Sequence, residues 1–362
     1  MKILIDLTSL SYHISGIERY ALCISEEMIK QDYKNEYLLV FRNEIFSSFR
    51  KLVDRNRVKA IVLQGNNKLL FREITLARYI NSTDADVKLF FAFTSPFFVK
   101  RNGVINTIHD VGIWDFPNAL DFLHRIYFRI GCRKSVAVSD VVLTVSEFSK
   151  SRICDVFKLK EEKVKVVYSA PSGKIVNQNN SFEYVKEKYH LPDKYIMSLS
   201  TMEPRKNQKL LFQSFSDVVD CVDYDLVLVG RMGWNIDEII SSYSANNRIH
   251  ITGFVDDKDV ACIYTNAMCF VFPSLYEGFG LPPIEALSLG TPVISSDAAS
   301  MPEVLREQAV FFKNNDIQEL SKLLLNLEKN VDGMPNELDE FQKKNYRFDE
   351  SARKILEIIE VR

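Results

Sequence analysis

Several protein classes are excluded by what the sequence lacks. Its six cysteines (Cys23, Cys132, Cys154, Cys221, Cys262, Cys269) contain no CxxC pair, which argues against a structural zinc site or a disulfide scaffold. Free thiols in a reducing cytosol are the simplest reading. Only five histidines occur, none in an HExxH pattern. No window approaches 18 uninterrupted apolar residues, so no transmembrane helix is expected. The most apolar stretch, 87–99, is broken by Thr94, Ser95 and Pro96. The opening MKILIDLTSL is too short and, with Asp6, too polar for a signal peptide. GxGxxG is missing, which removes the fingerprint of a nicotinamide or flavin oxidoreductase. There is no solenoid-length repeat and no low-complexity tract. Net charge is small as well: 46 Lys+Arg against 48 Asp+Glu leave -2. No nucleic-acid binding through bulk charge is expected from that balance.

What is present is ordinary in bulk and uneven in detail. The 362 residues are 46% hydrophobic and 26% charged, enough apolar material for real cores. At roughly 150 residues per domain the length predicts two domains. Residues 1–170 hold 26 basic and 19 acidic side chains, net +7; residues 171–362 hold 20 and 29, net -9.

Strand-like runs at 3–7, 37–41, 58–63, 87–93, 104–109, 141–145 and 164–168 alternate with amphipathic stretches at 17–29, 69–80, 120–138 and 147–157. Continuous apolar strands separated by helices predict a mostly parallel sheet covered by helices. The rhythm stops at 170–182, a polar stretch with Gly and Pro that reads as a domain boundary. A second series follows at 195–200, 226–229, 249–252, 269–272, 292–295 and 310–312, with helical segments such as 207–219 and 316–327. The expectation is an α/β protein of two doubly wound, Rossmann-like domains facing across a cleft. They would span 1–170, joined by a last helix at 346–362, and 183–345. Ligands of such sheets bind beyond the carboxyl ends of the strands.

The densest motif is 273–297, PSLYEGFGLPPIEALSLGTPVISSD. Gly278 and Gly280 allow backbone N–H groups to approach a ligand, and Pro282 and Pro283 start a helix whose amino end favours phosphate. Glu277 in the loop and Glu285 in the first helical turn could touch two ends of one ligand. Singly, each is read as an ordinary loop acid or first-turn Glu. Arg205 and Lys206 follow the 195–200 strand, where a planar fork and a point charge suit a diphosphate; the alternative is a solvated basic turn. Ser15-Gly16 opens the first helix, and His109-Asp110 ends a strand, where the histidine is either structural or cleft-facing. Gly230-Arg231 ends another strand. Asp84-Ala85-Asp86 fits a metal-binding DxD pattern, but it precedes a strand and is read as a solvated turn.

Together with Gly230-Arg231-Met232-Gly233-Trp234 and Thr252-Gly253-Phe254-Val255, these motifs resemble retaining glycosyltransferases of family 4, which are GT-B enzymes. The likeness runs through most of 190–313. It is looser in 1–170, through Gly16, His109-Asp110 and the run 143–149. Within the family the chain is most similar to transferases of bacterial O-antigen and capsule assembly, including mannosyltransferases. The resemblance implies that Arg205 and Lys206 hold the nucleotide diphosphate and Glu285 the ribose. Glu277, with the backbone of Gly278, Phe279, Gly280 and Leu281, would grip the donor sugar and phosphates. Gly230, Arg231 and Phe254 would lie by the nucleotide, Gly16 would make room for the donor, and His109 would line the reacting centre. It also implies a hexose donor, with GDP-mannose among the candidates, and no cofactor or metal.

The basic first half would then supply the acceptor site. Residues 120–134 interleave Phe122, Leu123, Ile126, Tyr127, Phe128 and Ile130 with Arg125, Arg129, Arg133 and Lys134. Such a mixture suits an anionic membrane surface, the alternative being a half-buried helix with a basic solvent face. The expectation is a cytoplasmic protein, peripheral on the inner face of the cell membrane, acting on a lipid-diphosphate-linked glycan. Rival readings are a GT-B epimerase or phosphorylase and a catalytically silent sugar-nucleotide-binding partner of a polysaccharide assembly.

Overall fold

The computed structural model describes residues 1–10, 16–53, 57–92, 94–117, 122–171, 180–233 and 246–361. Ser15, Phe93, Trp234, residues 120–121 and most of the 170–182 stretch lie outside the described residues. The chain divides into two compact units, Met1–Ala170 with Lys344–Arg362, and Pro171–Lys343.

Unit 1 holds seven strands: β1 (Lys2–Asp6), β2 (Glu36–Arg42), β3 (Val58–Leu63), β4 (Val87–Phe90), β5 (Val104–Thr107), β6 (Val141–Thr144) and β7 (Val164–Val166). All pair in parallel, in the order β3-β2-β1-β4-β5-β6-β7. Strands β4 and β5 are buried along their whole length, including the polar Lys88, Asn106 and Thr107. The ladder of β4 stops at Phe90, three residues before the expected end. Side chains replace it: Asn106 Oδ1 accepts the Ser95 N–H at 3.0 Å and Arg72 donates to Thr94 Oγ1 at 2.7 Å. The apolar run thus continues in a loop held by polar groups.

Helices α1 (Gly16–Gln31) and α2 (Phe122–Val138) belong to this unit. Unit 2 holds α3 (Gln208–Ser216), α4 (Leu281–Ser288) and the short α5 (Met301–Leu305). The last helix, α6 (Phe348–Val361), returns to unit 1 and packs on α1. Its buried stripe is Ser351, Ala352, Ile355 and Ile359, a helical spacing. Ser351 Oγ donates to the Tyr168 carbonyl at 2.7 Å, and Gln31 Nε2 donates to the Asp349 carbonyl at 2.9 Å.

The sheet of unit 2 has six parallel strands: β8 (Tyr195–Leu199), β9 (Asp225–Val229), β10 (Ile249–Gly253), β11 (Cys269–Phe272), β12 (Val293–Ser296) and β13 (Val310–Phe312). Their order is β10-β9-β8-β11-β12-β13. Phe212, Phe215, Tyr224, Leu228, Val271 and Leu324 centre one of its cores. In each unit the chain first lays strands to one side of the starting strand and then crosses to the other. The reversals fall between β1 and β4 and between β8 and β11, and a crevice opens beyond the carboxyl ends at such a point.

Candidate active site

At the switch point of unit 2, two loops leave β8 and β11 and meet. After β8, Pro204 opens a single 3-10 turn, Pro204–Lys206, where its missing N–H costs least. Asn207 closes that turn with φ 54°, a left-handed value that asparagine tolerates. The sequence places Asn207 inside a helix; in the structure α3 begins one residue later, and the kink keeps Arg205 and Lys206 out of it. The Leu275 N–H donates to the Arg205 carbonyl at 2.9 Å, tying the two loops together.

The loop after β11 carries the acid. Lys206 Nζ donates to Glu277 Oε1 at 2.5 Å, and Ser274 Oγ donates to the same oxygen at 2.7 Å. Arg205 Nη1 donates to Glu277 Oε2 at 3.2 Å and to the Tyr276 carbonyl at 2.6 Å. The other edge of the guanidinium reaches Glu203 Oε1, from Nε at 3.0 Å and Nη2 at 2.8 Å. Glu277 is 8% exposed. Burial pushes its carboxyl upward, but Lys206 and Arg205 overcome this and hold it at about 2. Burial pulls the Lys206 ammonium below its ordinary value, with Glu277 opposing. Arg205, Lys206 and Glu277, each expected to contact the donor, are bonded to one another as one ion cluster.

Gly280 ends the loop at φ 84° and precedes α4, whose first turn holds Pro282 and Pro283. A Cβ at Gly280 would stand 2.4 Å from Met301 Cε. Gly278, Phe279 and Leu281 lie on the same path, with Phe279 buried. Glu285 departs from expectation. Helix α4 starts at Leu281, so Glu285 sits in the second turn, and it is 6% exposed. Both glutamates are buried. Salt bridging makes burial tolerable for Glu277.

Strand ends beside the cluster are tightly drawn. Gly230 has φ 134°, its N–H donates to the Gly253 carbonyl at 2.9 Å, and a Cβ there would lie 1.9 Å from the Ser200 carbonyl oxygen. The exposed Arg231 guanidinium stands 4.5 Å from the ring centroid of Phe254, also exposed. Gly16 and His109 belong to unit 1. Gly16 is the exposed first residue of α1. His109 lies just past β5, with Nε2 2.8 Å from the Phe91 carbonyl and its ring edge-on to Tyr20 of α1 at 4.9 Å. A carbonyl partner fixes Nε2 as the protonated nitrogen. Burial lowers the imidazole's pKa, so it is neutral at pH 7. Asp84 pairs with Lys2 Nζ at 2.6 Å and Asp86 accepts the Lys2 N–H at 2.8 Å, a structural use of the DxD residues. Among the described residues no group of three or more His, Cys, Asp or Glu is placed to hold a metal ion.

Sequence reasoning passed over Glu203, Ser274 and Ser300. Ser300 Oγ donates to the Glu277 carbonyl at 2.9 Å from the amino end of α5. Glu203 stands two residues before Arg205 and Ser274 lies inside the 273–297 motif, so both are within reach of the sequence; Ser300 acts from 23 residues away with no local signal.

Two doubly wound parallel units, with partly buried cations at a strand switch point and a glycine-bounded helix start, define a GT-B glycosyltransferase. Residues 181–354 match the model of glycosyl transferases group 1, and residues 14–170 match that of glycosyltransferase family 4. The chain belongs to this family and is a hexosyltransferase. O-antigen chain mannosyltransferase B of Escherichia coli is 27% identical over 342 residues, covering 90% of each chain. O-antigen chain mannosyltransferase RfbU of Salmonella typhimurium is 27% identical over 252 residues, 69% of this chain and 66% of the relative. Anabaena HepE, solved in complex with UDP and glucose, superposes with a TM-score of 0.74 at 16% identity, covering 100% of both chains.

Proposed function

We propose that the protein transfers a hexose, with retention of anomeric configuration, from a nucleoside-diphosphate sugar to a lipid-diphosphate-linked glycan in surface polysaccharide assembly. The similarity to O-antigen mannosyltransferases favours mannose, and hence GDP-mannose, as the donor to try first. One observation carries the reading: two cations, Arg205 and Lys206, are bonded into a buried cluster at the β8/β11 switch point. Breaking a sugar–phosphate bond develops negative charge on the leaving diphosphate. Fixed cations and helix-end N–H groups stabilise that charge as it forms. In this reading Glu277 and the 278–281 turn grip the donor, Glu285 contacts the ribose, and Gly230, Arg231 and Phe254 border the nucleotide. Gly16 and His109 belong to the reacting centre from unit 1. No metal takes part.

The test is turnover of GDP-mannose, then other nucleotide sugars, with wild type and Lys206→Ala. Losing one transition-state cation should cost roughly a hundred- to a thousandfold in kcat. Wild-type turnover in a folded Lys206→Ala variant would sink the reading. Activity should survive EDTA unchanged; abolition by EDTA with rescue by Mn²⁺ would refute the metal-free part.

On the acceptor side, α2 presents Phe122, Leu123, Ile126 and Ile130 to solvent, with Phe122 63% and Leu123 75% exposed. Arg133 and Lys134 are exposed on the same helix. Basic charge beside unpacked apolar side chains supports peripheral attachment to an anionic bilayer. No described helix is long and apolar enough to cross a membrane.

A further inference from the structure

The cations assigned to the diphosphate are bonded to a carboxylate in this structure. Glu277 takes Lys206 and Ser274 on Oε1 and Arg205 on Oε2, while Glu203 takes the far edge of Arg205. Two cations and two carboxylates form a neutral group, in which Lys206 and Glu277 are largely buried. A nucleoside diphosphate brings two or more negative charges to the same N–H groups. Two cations cannot serve both anions at full strength, because like charges at short range in a poorly solvated site repel. Glu277 is also the part held still. Ser300 Oγ pins its carbonyl at 2.9 Å, and Ser296 Oγ pins the carbonyl of Ser274 at 2.6 Å. Lys206, bonded through Nζ to Glu277, is the more movable partner; Arg205 is held as well by Glu203 and the Tyr276 carbonyl.

We propose that Glu277 competes with the donor's diphosphate for Lys206 and Arg205, so that its recapture of these cations helps expel the nucleoside diphosphate left after transfer. This rests on the donor-site reading above and adds a second role for the acid at that site. The competition holds affinity for the free diphosphate below what the two cations alone would provide, and so favours product release over product inhibition.

The experiment is calorimetric titration of wild type, Glu277→Gln, Glu277→Asp and Lys206→Ala with GDP and with UDP. Thermal melts verify folding. Glu277→Gln keeps the shape and removes the competing charge, so it should bind the preferred diphosphate about tenfold or more tightly than wild type, with slower dissociation in stopped flow. Glu277→Asp keeps the charge but withdraws it by one methylene, so it should tighten binding by less; it decides the matter should Glu277→Gln not fold. Unchanged or weaker binding in the folded variants overturns the proposal. The Lys206→Ala arm separates the two readings. If wild type binds neither nucleotide, or Lys206→Ala binds as well as wild type, the donor site is misassigned and the competition falls with it. If Lys206→Ala loses affinity while the Glu277 variants gain none, only the competition is overturned.

Discussion

Gly230 is where the backbone of unit 2 has least room. Its φ of 134° is open to glycine, and any Cβ would collide with the Ser200 carbonyl. Gly230→Ala should therefore force β8 and β9 apart at their carboxyl ends. A cost of about 1–3 kcal/mol is expected, read as a lowered melting temperature with weakened nucleotide binding. His109 offers a different single-residue test. Its folded pKa is lowered by burial, so the unfolded chain binds the proton more readily. The sign follows: the neutral imidazole's contribution is full above about pH 6.5 and declines as pH falls below that value. Melting from pH 7.5 down to 5 should show a steeper loss in wild type than in His109→Gln. Parallel curves would show that His109 does not titrate with folding. Residues such as Arg205, Lys206 and Glu277 were legible because their loops are short strings of unusual chemistry. Their pairing was not, because a sequence separates by 71 or 72 positions what the β8–β11 neighbourhood joins.

Elements were more legible than their ends. Parallel strands are buried on both faces, so their apolar runs stand out, and β3, β11 and β13 fall where the pattern puts them. The apolar pattern runs past the end of β4 because Phe91 and Ala92 are as apolar as the strand before them, while the decisive bonds come from Asn106 and Arg72. Helix α4 starts at Leu281 and Glu285 falls in its second turn, since a proline pair marks a helix start only to within a residue or two. Helix α6 shows how an element can matter far from its neighbours in sequence. It lies more than 300 positions after α1 and packs on it through one apolar stripe. Ile355 is completely buried there. Ile355→Ala should remove about 2–5 kcal/mol of stability from unit 1. The check is hydrogen exchange resolved along the chain, with protection lost in α1 and β1 and retained in β8–β13.

At the scale of the whole molecule, the net charge of -2 conceals opposite halves. Counted by the structural units, the contrast is sharper than by a cut at residue 170. Unit 1 has 31 basic and 23 acidic residues, net +8; unit 2 has 15 and 25, net -10. Long-range fields of this kind steer association and choose which face meets a charged surface. A negative bilayer would attract unit 1, which carries α2, and repel unit 2. The helix is equipped for both stages. Arg133 and Lys134 supply exposed charge; Phe122 and Leu123 supply apolar side chains. Tyr127 anchors the inner face by donating to Glu73 Oε1 at 2.8 Å, so the outward stripe is fixed in direction. Each basic residue near an anionic surface contributes about 1 kcal/mol, so Arg133→Gln with Lys134→Gln should weaken binding by roughly thirtyfold. Salt should reproduce that loss in wild type, because the attraction is screened over a Debye length of about 10 Å or less. Leu123→Asp should instead reduce binding at every salt concentration. Co-sedimentation with anionic and neutral vesicles measures all three. Equal binding to both vesicle types would remove the electrostatic account. No binding of wild type to anionic vesicles at low salt would remove the membrane from the proposed function and leave the charge asymmetry to serve some other partner.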